Sequence, residues 1–141
     1  MGQMKNMRQV TLFFALLLVV LTGCDKLEKN KEFAATYKGI FVRTEGSPLG
    51  NEVVSNVTLN FTKNTFSGSS DRRNYPAICS GTFSISQSKL MTTNSCYFTA
   101  DFDWALVFNG EYNYELKGNH LQIWRSYGNG SKDVYELTKV E

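Results

Sequence analysis

The chain is poor in the residues that carry chemistry. It holds one histidine, His120, and three cysteines among 141 residues, with no Cys-x-x-Cys pair. A hydrolase of the Ser-His-Asp kind needs a histidine held beside a nucleophile, and zinc needs three or four His, Cys or carboxylate ligands. His120 follows Gly118-Asn119 and reads as a solvated turn histidine rather than a base or a ligand. Calcium-loop spacing is missing around Asp101 and Asp103. No Lys/Arg block follows Cys24, so a nucleic-acid footprint is missing too. The longest apolar stretch, Val10 to Leu21, spans 12 residues, short of the ~20 that cross a bilayer core. No long helical period follows Cys24. On this inventory the chain is expected to have no enzymatic activity, metal or cofactor.

What is present begins at the N-terminus. Lys5 and Arg8 precede the apolar stretch, and small residues end it, the layout of a secretory signal peptide over 1–23. Leu21-Thr22-Gly23-Cys24 resembles the lipobox of bacterial lipoproteins. The resemblance implies cleavage before Cys24, acylation of that residue, and a mature protein held to membrane lipid in the cell envelope. Two or more acyl chains anchor stably where one is marginal. Residues 24–36, with the mixed-charge run Asp25 to Glu32, read as a solvated, lipid-tethered linker. Glu28 to Thr36 has the composition for a turn or two of helix. The domain proper is expected over 37–141.

The leader holds Lys5 and Arg8 and no acid. The remaining 118 residues therefore carry 13 basic and 13 acidic side chains and are formally neutral. That length suits one domain with a modest core. Cys79 and Cys96 form an even pair in a chain expected to be exported, and an oxidising compartment makes a disulfide between them the expectation.

From Tyr37 onward the pattern is strand, turn, strand. Tyr37 to Thr44 is β-branched and aromatic. Val57, Leu59 and Phe61 alternate with Asn56, Thr58, Asn60 and Thr62. Lys63-Asn64 makes a tight turn, and Thr65 to Gly68 runs back. Ser69 to Pro76 is a polar loop carrying Arg72 and Arg73. Ile78 to Ser86 and Lys89 to Thr93 form another hairpin. Tyr97 to Phe108 is the most apolar stretch. It reads either as one strand and a bend or as containing a helical turn at Asp101 to Leu106. Tyr112 to Leu116, His120 to Tyr127 and Val134 to Val140 close the chain. Eight or nine short strands of this kind predict an all-β fold, an antiparallel up-and-down barrel of about eight strands, with a two-sheet sandwich as the alternative.

Gly39-Ile40-Phe41 with Arg125 in the penultimate strand is similar to the barrel-floor motif of the lipocalin-like (calycin) group, in which Gly-x-Trp sits beside a late-strand arginine. Gly110-Glu-Tyr-Asn-Tyr114, Gly118 to Ile123 and Tyr135 to Lys139 resemble the endings of short lipocalin-like lipoproteins. Phe66-Ser-Gly68, Cys79 to Phe83 and Thr92 to Cys96 resemble the META domain of heat-shock-like lipoproteins. The lipocalin-like resemblance implies a binding domain for a small apolar ligand or a partner surface. The META-like one implies loop-mediated protein contacts in the envelope. By strand parity Trp124 lies opposite Leu121 and Ile123. With Trp104, Arg72 and Arg73 it forms the candidate contact surface, since aromatic rings offer rigid contact area.

Overall fold

The computed structural model describes residues 30, 32–44, 52–99 and 101–140. The leader, Cys24 and most of the expected tether lie outside the described residues. Eight strands follow one another: β1 (Thr36–Thr44), β2 (Val53–Thr62), β3 (Thr65–Ser70), β4 (Ser80–Ser86), β5 (Lys89–Asn94), β6 (Gly110–Lys117), β7 (His120–Ser126) and β8 (Lys132–Lys139). Each pairs antiparallel with the next, and β8 pairs back onto β1, so the sheet closes into a barrel in strict chain order. The sandwich alternative is set aside by that closure.

Alternation decides which side chains go inside. Val57, Leu59 and Phe61 of β2, Phe83 and Ile85 of β4, Leu121 and Ile123 of β7, and Tyr135 and Leu137 of β8 are all buried. Their neighbours face out because successive side chains on a strand point to opposite faces. The rings meet across the axis. Phe61 lies edge-on to Phe83 at 5.0 Å, Phe66 to Phe108 at 5.2 Å, and Phe108 to Tyr135 at 5.2 Å. Each such ring taken from water contributes about 1.5–3 kcal/mol. An eight-stranded barrel has an interior just wide enough for side chains, and here large aromatic residues pack against one another along it.

Closure needs one small residue. Gly39 of β1 pairs with Leu137 of β8, and a Cβ on Gly39 would overlap the Glu136 carbonyl oxygen. The glycine of the expected floor motif is thus accounted for by strand approach at the seam.

The two ends of the barrel differ. The hairpins turning at 63–64, 87–88 and 118–119 share one end with the incoming chain. There Asn30, Glu32 and Phe33 are helical, in line with the expected helical turn. Phe33, inside the stretch read as tether, is buried against Phe61 at 4.7 Å, Tyr114 at 5.4 Å and Phe83 at 5.7 Å. Phe61 N–H donates to the Ala35 carbonyl at 2.9 Å, which seats the plug. The segments 71–79, 95–109 and 127–131 gather at the other end.

The apolar stretch before β6 forms no strand. Leu106, Val107 and Phe108 are buried in succession, and three consecutive inward side chains cannot sit on a period-two strand. A 3-10 turn, Trp104–Leu106, feeds them into the loop end instead, and Val107 bridges Ala77. The helical-turn reading of this stretch is the one realised. Cys79 and Cys96 are joined as a disulfide that ties the two longest loop-end segments together.

Phe33→Ala is expected to lower stability by about 3–5 kcal/mol, read as a fall in the urea midpoint with the denaturant slope unchanged. A loss below half a kcal/mol would show that the plug does not belong to the cooperative core.

Candidate functional site

Parity along three strands puts charge on the inward face, always at the loop end. Arg43 follows Tyr37, Gly39 and Phe41 on β1, Arg125 follows Leu121 and Ile123 on β7, and Asp133 precedes Tyr135 and Leu137 on β8. In register, Arg43 and Arg125 both lie opposite Asp133. Asp133 is 2% exposed. Arg43 donates to it from Nε at 2.5 Å and from Nη2 at 2.8 Å, and Tyr127 Oη donates at 2.6 Å. Paired in this way, the buried carboxylate is compatible with its surroundings.

The same cluster holds the 3-10 turn down. Asp103 caps that turn, accepting from Ala105 N–H at 2.9 Å and from Arg43 Nη1 at 2.7 Å. The Ala105 carbonyl accepts from Arg125 Nη2 at 2.7 Å and Arg43 Nη2 at 3.2 Å. Tyr127 Oη also lies 3.2 Å from that carbonyl, but its one proton is better placed toward Asp133. Arg125 further donates to the Asn109 carbonyl at 3.0 Å and stacks over Tyr112 at 4.6 Å. Two arginines face two aspartates, so the cluster is neutral.

The electrostatics match. Hydrogen bonding to Asp133 raises the Arg43 pKa above its ordinary value. Burial, then Asp133, pushes the Tyr127 phenol up. Burial raises Tyr112 and takes Tyr135 well above its ordinary value. These groups stay in the forms they already hold near neutrality, and none is poised for proton transfer there.

The loop bearing Arg72 and Arg73 is held just as firmly. Asp71 accepts from Asn56 N–H at 2.9 Å and Asn56 Nδ2 at 2.7 Å. Ser55 and Ser70 hydroxyls both donate to the Tyr75 carbonyl, at 2.5 and 2.7 Å. Arg72 and Arg73 are themselves exposed. Across from them the segment after the disulfide displays rings. Phe98 meets Phe102 at 5.5 Å, Phe102 stacks on Trp104 at 5.5 Å and 25°, and Tyr97 stands fully exposed. Between the two segments lies a cleft of about 360 Å³ lined by Arg73, Asn74, Tyr75, Thr99, Asp101, Phe102 and Leu106.

The expected site residues therefore separate. Arg72, Arg73 and Trp104 share the loop end, with Trp104 56% exposed. Trp124 does not join them. It is half-buried on the barrel wall, with the Lys132 amine 6.0 Å above its ring. Phe41 packs on Tyr75 and Tyr135 while Arg125 stacks on Tyr112, so the described contacts do not pair the two as the floor motif would. Asp101 and Asp103 share no strand face. Asp101 accepts from Thr99, which lowers its pKa with a smaller contribution from Arg73, whereas Asp103 serves as cap. His120 sits at the turn end with its side chain 55% exposed, 3.1 Å from Glu136. Among the described residues no three His, Cys, Asp or Glu side chains come close enough to hold a metal, and no helix is long and apolar enough to cross a membrane.

Removing the carboxylate takes from Arg43 and Arg125 their shared buried partner and leaves Arg43 only the exposed Asp103, so Asp133→Ala is expected to lose about 3–5 kcal/mol, measured by urea unfolding. The tyrosines add a pH dependence. In the unfolded chain they ionise near their ordinary value of 10.0, while the folded barrel keeps Tyr112, Tyr127 and Tyr135 protonated above it. Their contribution is full below pH 10 and falls as pH rises further, because the unfolded state then binds fewer protons. Phenolate absorbance should therefore rise together with loss of β signal in an alkaline titration. Full phenolate appearance in a folded barrel would refute the assignment. Comparison with family models, with curated proteins and with solved structures finds no match for this chain.

Proposed function

We propose that the protein is a lipid-anchored bacterial envelope protein without enzymatic activity, a binding module that meets its partner with the loop end of the barrel. The anchor is Cys24, read from its lipobox. The carrying observation is the division of the barrel. Its axis is occupied by Tyr37, Phe41, Phe61, Phe66, Phe83, Phe108, Tyr112 and Tyr135, while Arg72, Arg73, Tyr97 and Trp104 stand exposed on braced loops. An apolar ligand inside a lipocalin-like barrel would compete with those rings for the same volume, and interiors packed to crystal density resist added groups. The chain enters at the opposite end, so a tether from Cys24 leaves the loop end facing away from the lipid. Loops held on a rigid scaffold are where binding residues concentrate.

Two measurements test this reading. In cells, Cys24→Ser should leave an unprocessed precursor lacking acyl chains, and an unchanged detergent partition would refute the anchor. In a titration of the membrane-extracted protein, a fluorescent fatty acid should show no stoichiometric uptake. Uptake of one molecule per barrel, unaffected by Trp104→Ala, would move the ligand inside and overturn the loop-end reading.

A further inference from the structure

The cleft between the arginine loop and the aromatic segment has a chemistry of its own. One wall is apolar. Phe102 and Leu106 line it, and Trp104, just outside the lining, stacks on Phe102 and keeps more than half of its surface open. The other wall and floor carry a guanidinium, an amide, a hydroxyl and a carboxylate: Arg73, Asn74, Thr99 and Asp101. At about 360 Å³ the cleft lies within the usual range for small-molecule sites, roughly 300–1,000 Å³.

Each class of ligand can be weighed against that lining. A fatty acyl chain would strip water from four polar groups and return no hydrogen bonds, an unfavourable exchange. An anion such as a phosphate would gain Arg73 but meet the Asp101 carboxylate beside it. A cation would meet the reverse. A neutral polyol meets neither penalty. Its hydroxyls both donate and accept, which suits a carboxylate, an amide and a guanidinium together. The C–H face of a pyranose ring is flat and apolar, the shape that an exposed indole accepts.

We infer that this cleft binds a neutral saccharide, with a pyranose face on the Phe102 wall beside Trp104 and ring hydroxyls on Arg73, Asn74 and Asp101. The inference rests on the loop-end reading above and names the ligand class for it. The site is pre-built. The Cys79–Cys96 disulfide secures the base of the aromatic segment, and Asp71, Ser55 and Ser70 secure the arginine loop. Backbone freedom in both segments is thereby reduced before binding, which favours recognition of a small ligand.

The chain has two tryptophans, so its amide spectrum should show two indole N–H signals, assigned by Trp104→Phe and Trp124→Phe. The full chain as processed by the cell is held in phosphocholine micelles, which carry no sugar headgroup. It is titrated at millimolar concentrations with chitotetraose, cellotetraose and maltotetraose. The Trp104 signal should move saturably with at least one of them while the Trp124 signal stays. Arg73→Ala and Asp101→Asn should each weaken that binding by about tenfold, the loss expected for a hydrogen bond to a charged group. Glu111→Gln on the barrel wall should leave it unchanged. No movement of Trp104 with any tetrasaccharide, or equal affinity in the Arg73 and Asp101 variants, overturns the saccharide site. If saccharides fail while a protein cross-linked to the loop end in cells is lost on Arg73→Ala, the loop-end reading stands and the ligand is a protein.

Discussion

Eight residues of β1 pair with eight of β8 along one antiparallel seam. That seam turns a meander with two open edges into a cylinder with none. It requires backbone to approach backbone at Gly39, where any side chain would strike the Glu136 carbonyl. It also sets Arg43 of β1 and Arg125 of β7 on either side of Asp133 of β8. Were β1 and β8 apart, Arg43 would be an inward charge with no buried partner.

The Arg43–Asp133–Arg125 row, made neutral by Asp103, does more than balance charge. Its two guanidinium groups converge on the Ala105 carbonyl, and this holds the 3-10 turn over the loop end. The turn in turn presents Trp104 to solvent on a fixed backbone. A stretch of chain that is hydrophobic enough to collapse into the core is thereby divided. Leu106, Val107 and Phe108 go inward, and Tyr97 and Trp104 remain outside. The exposed rings are a consequence of how the end is capped.

The opposite end is closed by different physics. Phe33 fills it with apolar surface and a backbone hydrogen bond, with no charge involved. One end of the barrel is therefore an apolar plug beside the incoming chain, and the other a neutral polar cluster beneath displayed side chains. Solvent-facing residues around the wall divide as well. Asn60, Thr62, Thr65, Ser67 and Thr82 cover β2 to β4, while Glu111, Glu115, Lys117, Lys132 and Glu136 stand on β6 to β8. Neither wall concentrates charge of one sign, in keeping with the balanced composition after Cys24.

Much of this was written locally. Period-two alternation names Val57, Leu59, Phe61, Ile123 and Leu137 as interior without any tertiary knowledge, because the pleat leaves each residue only two directions. Turn residues at 63–64, 87–88 and 118–119 set the strand count, and the Cys79–Cys96 pairing was expected from an even pair of thiols behind a signal-like leader. The same parity marks Arg43, Arg125 and Asp133 as inward charges, a signal present in the sequence but without meaning until partners are known. Those partners are 90 residues apart in the case of Arg43 and Asp133, and only closure brings them together. Phe33 was hidden because its charged neighbours read as tether. The cleft was hidden because it forms between loops that share no strand. Side-chain direction is a property of each residue and its immediate neighbours, so the chain alone determined it. Which charges meet, which end is capped and which rings stay outside depend on contacts across the whole barrel, so the tertiary structure decided them.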